Sequence, residues 1–237
     1  MKKLVVIITI LILFIPKVNA STSSASSYIL MDSTTGRVLM SKDMHSKRLI
    51  ASITKIMTAT LAIESGKLND VVEVSPIIKE AYGSGIYIEV GEEITLKDLV
   101  YGLMLRSGND AAMMISEYIG GTTEEFVNMM NNKAKEIGMK ETTFYNPSGL
   151  PTPSGNYSSA YDMALLTKYA MNSPVYQEIV KTKTYKVTTN KKTYLWHNKN
   201  KLLKYDYITG GKTGYTEEAG RNLVATVERD GMRLISV

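Results

Sequence analysis

The spacing of apolar positions changes period several times along the chain, and each change predicts an element. Residues 4–15 are an apolar run preceded by Lys2 and Lys3 and followed by Val18-Asn19-Ala20. A basic start, an apolar centre short for a membrane span and a small residue at the end predict a secretory signal peptide over residues 1–20. Alternation then appears in Tyr28-Ile29-Leu30-Met31-Asp32 and again over 37–41, around Ser33-Thr34-Thr35-Gly36. That predicts a β-hairpin with a glycine-terminated turn. From Ile56 to Ile63 almost no position is polar, so a helix ending near Gly66 is expected to be buried on most sides.

Between residues 67 and 150 the pattern turns mostly helical. After a short strand at 71–74 and a Gly-rich loop at Tyr82-Gly83-Ser84-Gly85, Thr95 caps a helix over about 96–105. Further helices are expected over 109–119 and over 123–137, the last stopped by Gly138. This stretch reads as an insertion into an α/β part made of residues 21–66 and 151–237. Asn146 to Asn156 is rich in Pro and Gly and reads as a loop, Ser159 with Asp162 resembles a capping box, and Pro174 opens a short helix. Residues 183–189 alternate as a solvent-exposed strand. Three more strands, 207–215, 222–228 and 232–237, have joins so short that they must be antiparallel. With the first hairpin they give a five-stranded antiparallel sheet flanked by helices, an α/β (α+β) fold with a mostly helical subdomain. The final strand runs to the last residue without turn or cap, which is the pattern of a sheet subdomain truncated at its C-terminus.

Composition narrows the chemistry. The formal net charge is +5, from 28 basic and 23 acidic residues. Cleavage after Ala20 would remove Lys2, Lys3 and Lys17 and leave about +2, so the basic isoelectric point makes no case for nucleic acid. Cysteine is absent and histidine occurs only at His45 and His197. That excludes a cysteine nucleophile and cysteine metal sites, and it leaves a zinc site or a Ser-His-Asp triad short of partners.

What remains is a hydroxyl and an amine. Ser52 and Lys55, three apart at the head of the apolar helix, share a face and can touch. An amine there is poorly solvated, which lowers its pKa toward the range in which it accepts a proton. The plainer reading makes Ser52 an N-cap and Lys55 a side chain reaching back to water. Two further segments add to the pair: Arg106-Ser107-Gly108-Asn109-Asp110 between two helices, and Gly210-Gly211-Lys212-Thr213-Gly214-Tyr215-Thr216 on an edge-like strand, where glycines let a substrate approach the backbone. A second Ser-Gly-Asn, at Ser154-Gly155-Asn156, reads as a turn.

Ser-x-x-Lys, Ser-x-Asn and Lys-Thr-Gly, in that order and on those elements, form a motif set of penicillin-interacting serine enzymes. From about residue 27 to 237 the chain resembles the low-molecular-mass penicillin-binding proteins, serine-type D-Ala-D-Ala carboxypeptidases with a β-lactamase/transpeptidase-like fold. Further blocks carry the likeness: Asn146-Pro147-Ser148-Gly149-Leu150, Ser159-Ala160-Tyr161-Asp162 and Asn198-Lys199-Asn200-Lys201-Leu202-Leu203. The resemblance implies an acyl-enzyme on Ser52, with Lys55 as base, Ser107 as proton relay and Asn109 as the residue that orients the amine or the substrate amide. It implies Lys212, Thr213 and Thr216 at the terminal carboxylate, and the Ser52 and Tyr215 N–H groups, beside Gly214, at the oxyanion. It implies a peptidoglycan stem peptide as substrate, β-lactams as inhibitors and no cofactor. It further implies a place in the cell envelope, with membrane contact only through an uncleaved signal or a C-terminal anchor. The same nucleophile would also suit a peptidoglycan endopeptidase or a β-lactamase, and a truncated chain would suit an inactive penicillin-binding fragment.

Overall fold

The computed structural model describes residues 23–237, and the expected signal peptide lies outside the described residues. Strands β1 (Tyr28–Asp32) and β2 (Val38–Lys42) form the expected hairpin, its turn tightened by the Asp32 carboxylate accepting the Thr34 and Thr35 N–H groups. A two-residue strand β3 (Arg48–Leu49) leads into a 3-10 turn, Ala51–Thr54, which runs straight into helix α1 (Lys55–Glu64). Eight consecutive residues of α1, Lys55 to Ala62, are buried. Burying side chains such as Ile56 and Met57 contributes about 1.5–3 kcal/mol each before the cost of ordering them.

Strands β4 (Val71–Glu73) and β5 (Glu93–Thr95) pair antiparallel beside the helical part, which follows as α2 (Leu96–Arg106), α3 (Asn109–Gly120) and α4 (Thr123–Ile137). The cap signals at Thr95 and Gly138 act as read, the Thr95 hydroxyl accepting an N–H at its helix start and Gly138 closing α4 in the left-handed region, and the unread Thr122 hydroxyl caps α4 in the same way. After β6 (Tyr157–Ser158), which pairs with β3, come α5 (Ala160–Ala170) and α6 (Pro174–Lys181). The Ser159 hydroxyl caps α5, but the reciprocal half of the box is missing. The Asp162 carboxylate instead accepts the Glu141 N–H and the Thr142 hydroxyl, tying α5 to the segment before the Pro/Gly loop.

Four short strands went unread in the sequence, β3, β5, β6 and a partner to the strand at 183–189, and the last of these bears on the core. The strand expected to be solvent-exposed, β7 (Thr184–Thr188), pairs with β8 (Thr193–His197), and the hairpin places Tyr194 and Trp196 in the core against α2, with Val187 buried beside them. A 3-10 turn, Lys201–Lys204, then leads to β9 (Ile208–Thr216), β10 (Gly220–Arg229) and β11 (Met232–Ser236). The main sheet is five-stranded and antiparallel in the order β2-β1-β11-β10-β9, which leaves β9 on an edge. Its inner face, with Ile29, Met31 and Ile235, packs on Ala160 and Ala164 of α5. The larger apolar cluster runs unbroken from α1 through α2, α3 and α4 to α6 and Val224 of β10. Among the described residues no helix is long and apolar enough to cross a membrane.

Candidate active site

Ser52 stands within the 3-10 turn, and it caps nothing: the position before the turn is Ile50, with no side-chain cap. Its hydroxyl is free for another partner. Two neighbours hold the turn in shape. Ala51 takes a left-handed φ of 45°, and the loop at Gly149 presses so closely that a Cβ there would lie 2.0 Å from the Ala51 carbonyl oxygen. From the other side β9 closes in, because a Cβ on Gly214 would lie 3.0 Å from the Ser52 nitrogen. Both positions require glycine for approach, and Gly149 also has a φ of 85°.

One turn on, Lys55 is fully buried. Its Nζ lies 3.2 Å from Ser52 Oγ, 2.7 Å from Asn109 Oδ1 and 2.6 Å from the Ser148 carbonyl oxygen. Among the described residues no carboxylate forms an ion pair with it. Burial pushes its pKa well down from the usual lysine value, and the charges of Lys212 and Lys199 push it further, opposed only by Asp110.

Asn109 opens α3 and is itself fixed at three points. Its N–H donates to the Ser84 carbonyl, its amide nitrogen donates to the Tyr82 carbonyl, and its amide oxygen takes the Lys55 contact. Next to it, the Asp110 carboxylate accepts the Ile86 and Tyr87 N–H groups, so the Gly-rich loop is pinned over the site. Ser107 ends α2 with a left-handed φ of 62°. Its hydroxyl accepts from Lys212 Nζ at 3.0 Å, and the same amine donates to the Thr213 carbonyl at 2.8 Å.

Lys212, although on an edge strand, is buried, only 2% exposed. Burial, and then the charge of Lys199, lowers its pKa to about 7. A cleft of about 650 Å³ opens over these groups, lined by Ser52, Ser107, Thr213, Gly214 and Tyr215 among others. Lys55, Asn109 and Lys212 lie beneath its floor. Thr216 stands apart: its hydroxyl accepts the Ala219 N–H in the turn to β10, and it does not line the cleft. A second cavity, of about 340 Å³, lies against β11 and α5 and holds none of these groups.

Two contributors were not assigned a role in the sequence, and the first of them is a backbone atom. The Ser148 carbonyl reaches Lys55 because Asn156 anchors the Pro/Gly loop, its amide bonding Thr54 Oγ1 and the Asn146 carbonyl. The second Ser-Gly-Asn therefore supports the site rather than joining it. Lys199 also lines the cleft and donates to Ser84 Oγ at 3.0 Å, with its N–H on the Leu105 carbonyl.

Comparison with known proteins matches residues 16–237 to a family model described as D-alanyl-D-alanine carboxypeptidase. The chain is 44% identical over 224 residues to D-alanyl-D-alanine carboxypeptidase DacF of Bacillus subtilis, covering 90% of this chain and 56% of that protein. It is 37% identical over 236 residues to DacC of Escherichia coli, covering 93% and 57%. The chain thus spans about half the length of these relatives. Among solved structures, a D-alanyl-D-alanine carboxypeptidase of Mycobacterium tuberculosis superposes with a TM-score of 0.86 at 31% identity over 90% of this chain and 81% of that one. A variant of a Streptomyces DD-transpeptidase superposes with a TM-score of 0.88 at 30% identity, over 92% and 91%.

Proposed function

Because the chain belongs to the D-alanyl-D-alanine carboxypeptidase family, we propose that it removes the terminal D-alanine from peptidoglycan stem peptides through an acyl-enzyme on Ser52. The hydrogen bonding of Lys55 carries this reading. A neutral amine has two N–H donors and one lone pair. The Asn109 and Ser148 oxygens take the two donors, which leaves the lone pair for the Ser52 O–H. A buried, uncharged amine so placed is a general base beside a nucleophile.

Ser52 Oγ attacks the carbonyl of the penultimate D-alanine while its proton passes to Lys55. The oxyanion is met by the N–H groups of Ser52 and Tyr215, donors of a kind worth a factor of about 10² to 10³ each. Ser107 relays a proton to the departing amine, free D-alanine leaves, and water then hydrolyses the ester by the same route in reverse. The terminal carboxylate meets the hydroxyls of Thr213 and Ser107, with the charge of Lys212 directly behind them. β-Lactams enter as substrate mimics and stay as esters of Ser52. The setting is the cell envelope, outside the cytoplasm.

The test pairs a peptide ending in D-Ala-D-Ala with a fluorescent penicillin. Free D-alanine should appear, and label should sit on Ser52 and vanish in Ser52→Ala. Label on a different serine, or undiminished in that variant, would sink the assignment.

A further inference from the structure

The rim of the cleft has a feature that the chemistry at Ser52 does not use. Lys199, Lys201 and Arg221 all line it, and no lining residue is acidic. Lys199 is engaged with Ser84, but Lys201 and Arg221 are exposed and enter no ion pair among the described residues. They come from different elements: Lys201 opens the 3-10 turn before β9, and Arg221 stands on β10 directly across from Tyr215. Glu217 and Glu218, in the neighbouring turn, neither pair with Arg221 nor line the cleft.

The terminal carboxylate is already provided for below the rim by Thr213, Ser107 and Lys212. Two unpaired cations higher up therefore call for a second anion on the same ligand. We propose that the cleft selects peptides carrying a further carboxylate upstream of the scissile bond, and that Lys201 and Arg221 are the residues that read it. The inference rests on the carboxypeptidase reading of Ser52, and it names the substrate class within that reading. Arg221 supplies a planar fork suited to a carboxylate, and Lys201 a mobile point charge. Exposed pairs of this kind are individually weak and screened by salt, so together they should shift affinity by about tenfold.

The experiment uses the full chain and two acylated tripeptides, one ending Glu-D-Ala-D-Ala and one Gln-D-Ala-D-Ala, with Kd and released D-alanine measured on the same samples. The acidic peptide should bind about tenfold more tightly at low salt, and the advantage should shrink toward parity at about 0.5 M salt. In the double variant Lys201→Gln, Arg221→Gln the two peptides should bind alike, with Kd for the Gln peptide unchanged. Equal Kd values in the unaltered chain, or a preference that survives the double variant, would overturn the proposal. A Kd preference without D-alanine from either peptide would uphold the rim and defeat the carboxypeptidase reading. Equal Kd values with D-alanine from both would do the opposite.

Discussion

The Lys55 amine lies 3.2 Å from the Ser52 hydroxyl, and its other hydrogen bonds go to the Asn109 amide oxygen and the Ser148 carbonyl rather than to a carboxylate. If Lys55 is the base proposed above, a residue without a basic nitrogen cannot replace it. Lys55→Met should fill the space yet lower the rate constant for acylation by penicillin by about 10² to 10⁴, the usual share of general base catalysis. Stopped-flow labelling checks this, and a loss of less than tenfold would remove Lys55 from the role.

Two amines with lowered pKa values predict the pH profile. Lys55 must shed its proton to work, so kcat/KM should rise as pH climbs through its depressed pKa. Lys212 must keep its proton to draw the carboxylate, so kcat/KM should fall again as pH passes about 7 in the free protein. A bound carboxylate favours the ammonium form, and the falling limb of kcat should therefore lie at higher pH than that of kcat/KM. Coincident falling limbs would count against Lys212 as the carboxylate's charge partner.

Asn109→Asp offers a test of the same electrostatics with opposite sign. It would set a carboxylate 2.7 Å from Lys55 Nζ in place of the amide oxygen. The ammonium form is then favoured, so activity at neutral pH should drop and the rising limb should move alkaline by at least one unit. Recovery of most of the lost rate at high pH is the signature; a pH-independent loss would mean that Asn109 acts through shape alone.

Gly149→Ala is expected to destabilise the fold by about 2–4 kcal/mol, since the new Cβ meets the Ala51 carbonyl and the φ of 85° strains any side chain. Penicillin labelling should fall with it, because the shift displaces the Ser148 carbonyl from Lys55. Denaturant midpoints alongside labelling rates measure both, and a midpoint within about 0.5 kcal/mol of the parent would refute the close contact.

Lys212→Met should stabilise the protein while removing function. The lysine's pKa falls from 10.5 to about 7 on folding, so between those values the unfolded chain holds more protons and the parent gains stability as pH rises. Methionine carries no such dependence. Its advantage, about 5 kcal/mol less the lost bonds to Ser107 and the Thr213 carbonyl, should be full below pH 7 and gone by about pH 10.5. Unfolding midpoints at several pH values decide it; an advantage constant with pH would contradict the burial cost.

Much of this fold was legible because local signals agreed with the global one. Thr95, Gly138 and Pro174 each mark a helix boundary by a mechanism that acts within a few residues. The five strands of the main sheet followed from alternation and from turns too short for a crossover. The segment β8 escaped although Tyr194 and Trp196 point inward at the period of a strand, because its outward positions Thr193, Leu195 and His197 show no clean polar contrast. At the site, side chains could be named but their surroundings could not. Burial of Lys212, the bond to the Ser148 carbonyl and the diversion of Thr216 into a turn all depend on how distant segments meet. A backbone oxygen leaves no mark in a sequence.

Neither Ala51 nor Ser107 is a glycine, yet both bend the chain to the left-handed side, one beside the proposed nucleophile and the other at the proposed proton relay. Each bend costs about 1–2 kcal/mol that the surrounding core must offset. Loosening the packing around either corner therefore lets the backbone relax there. Mild heating should abolish penicillin labelling several degrees before the circular dichroism changes, and cooling should restore it without refolding.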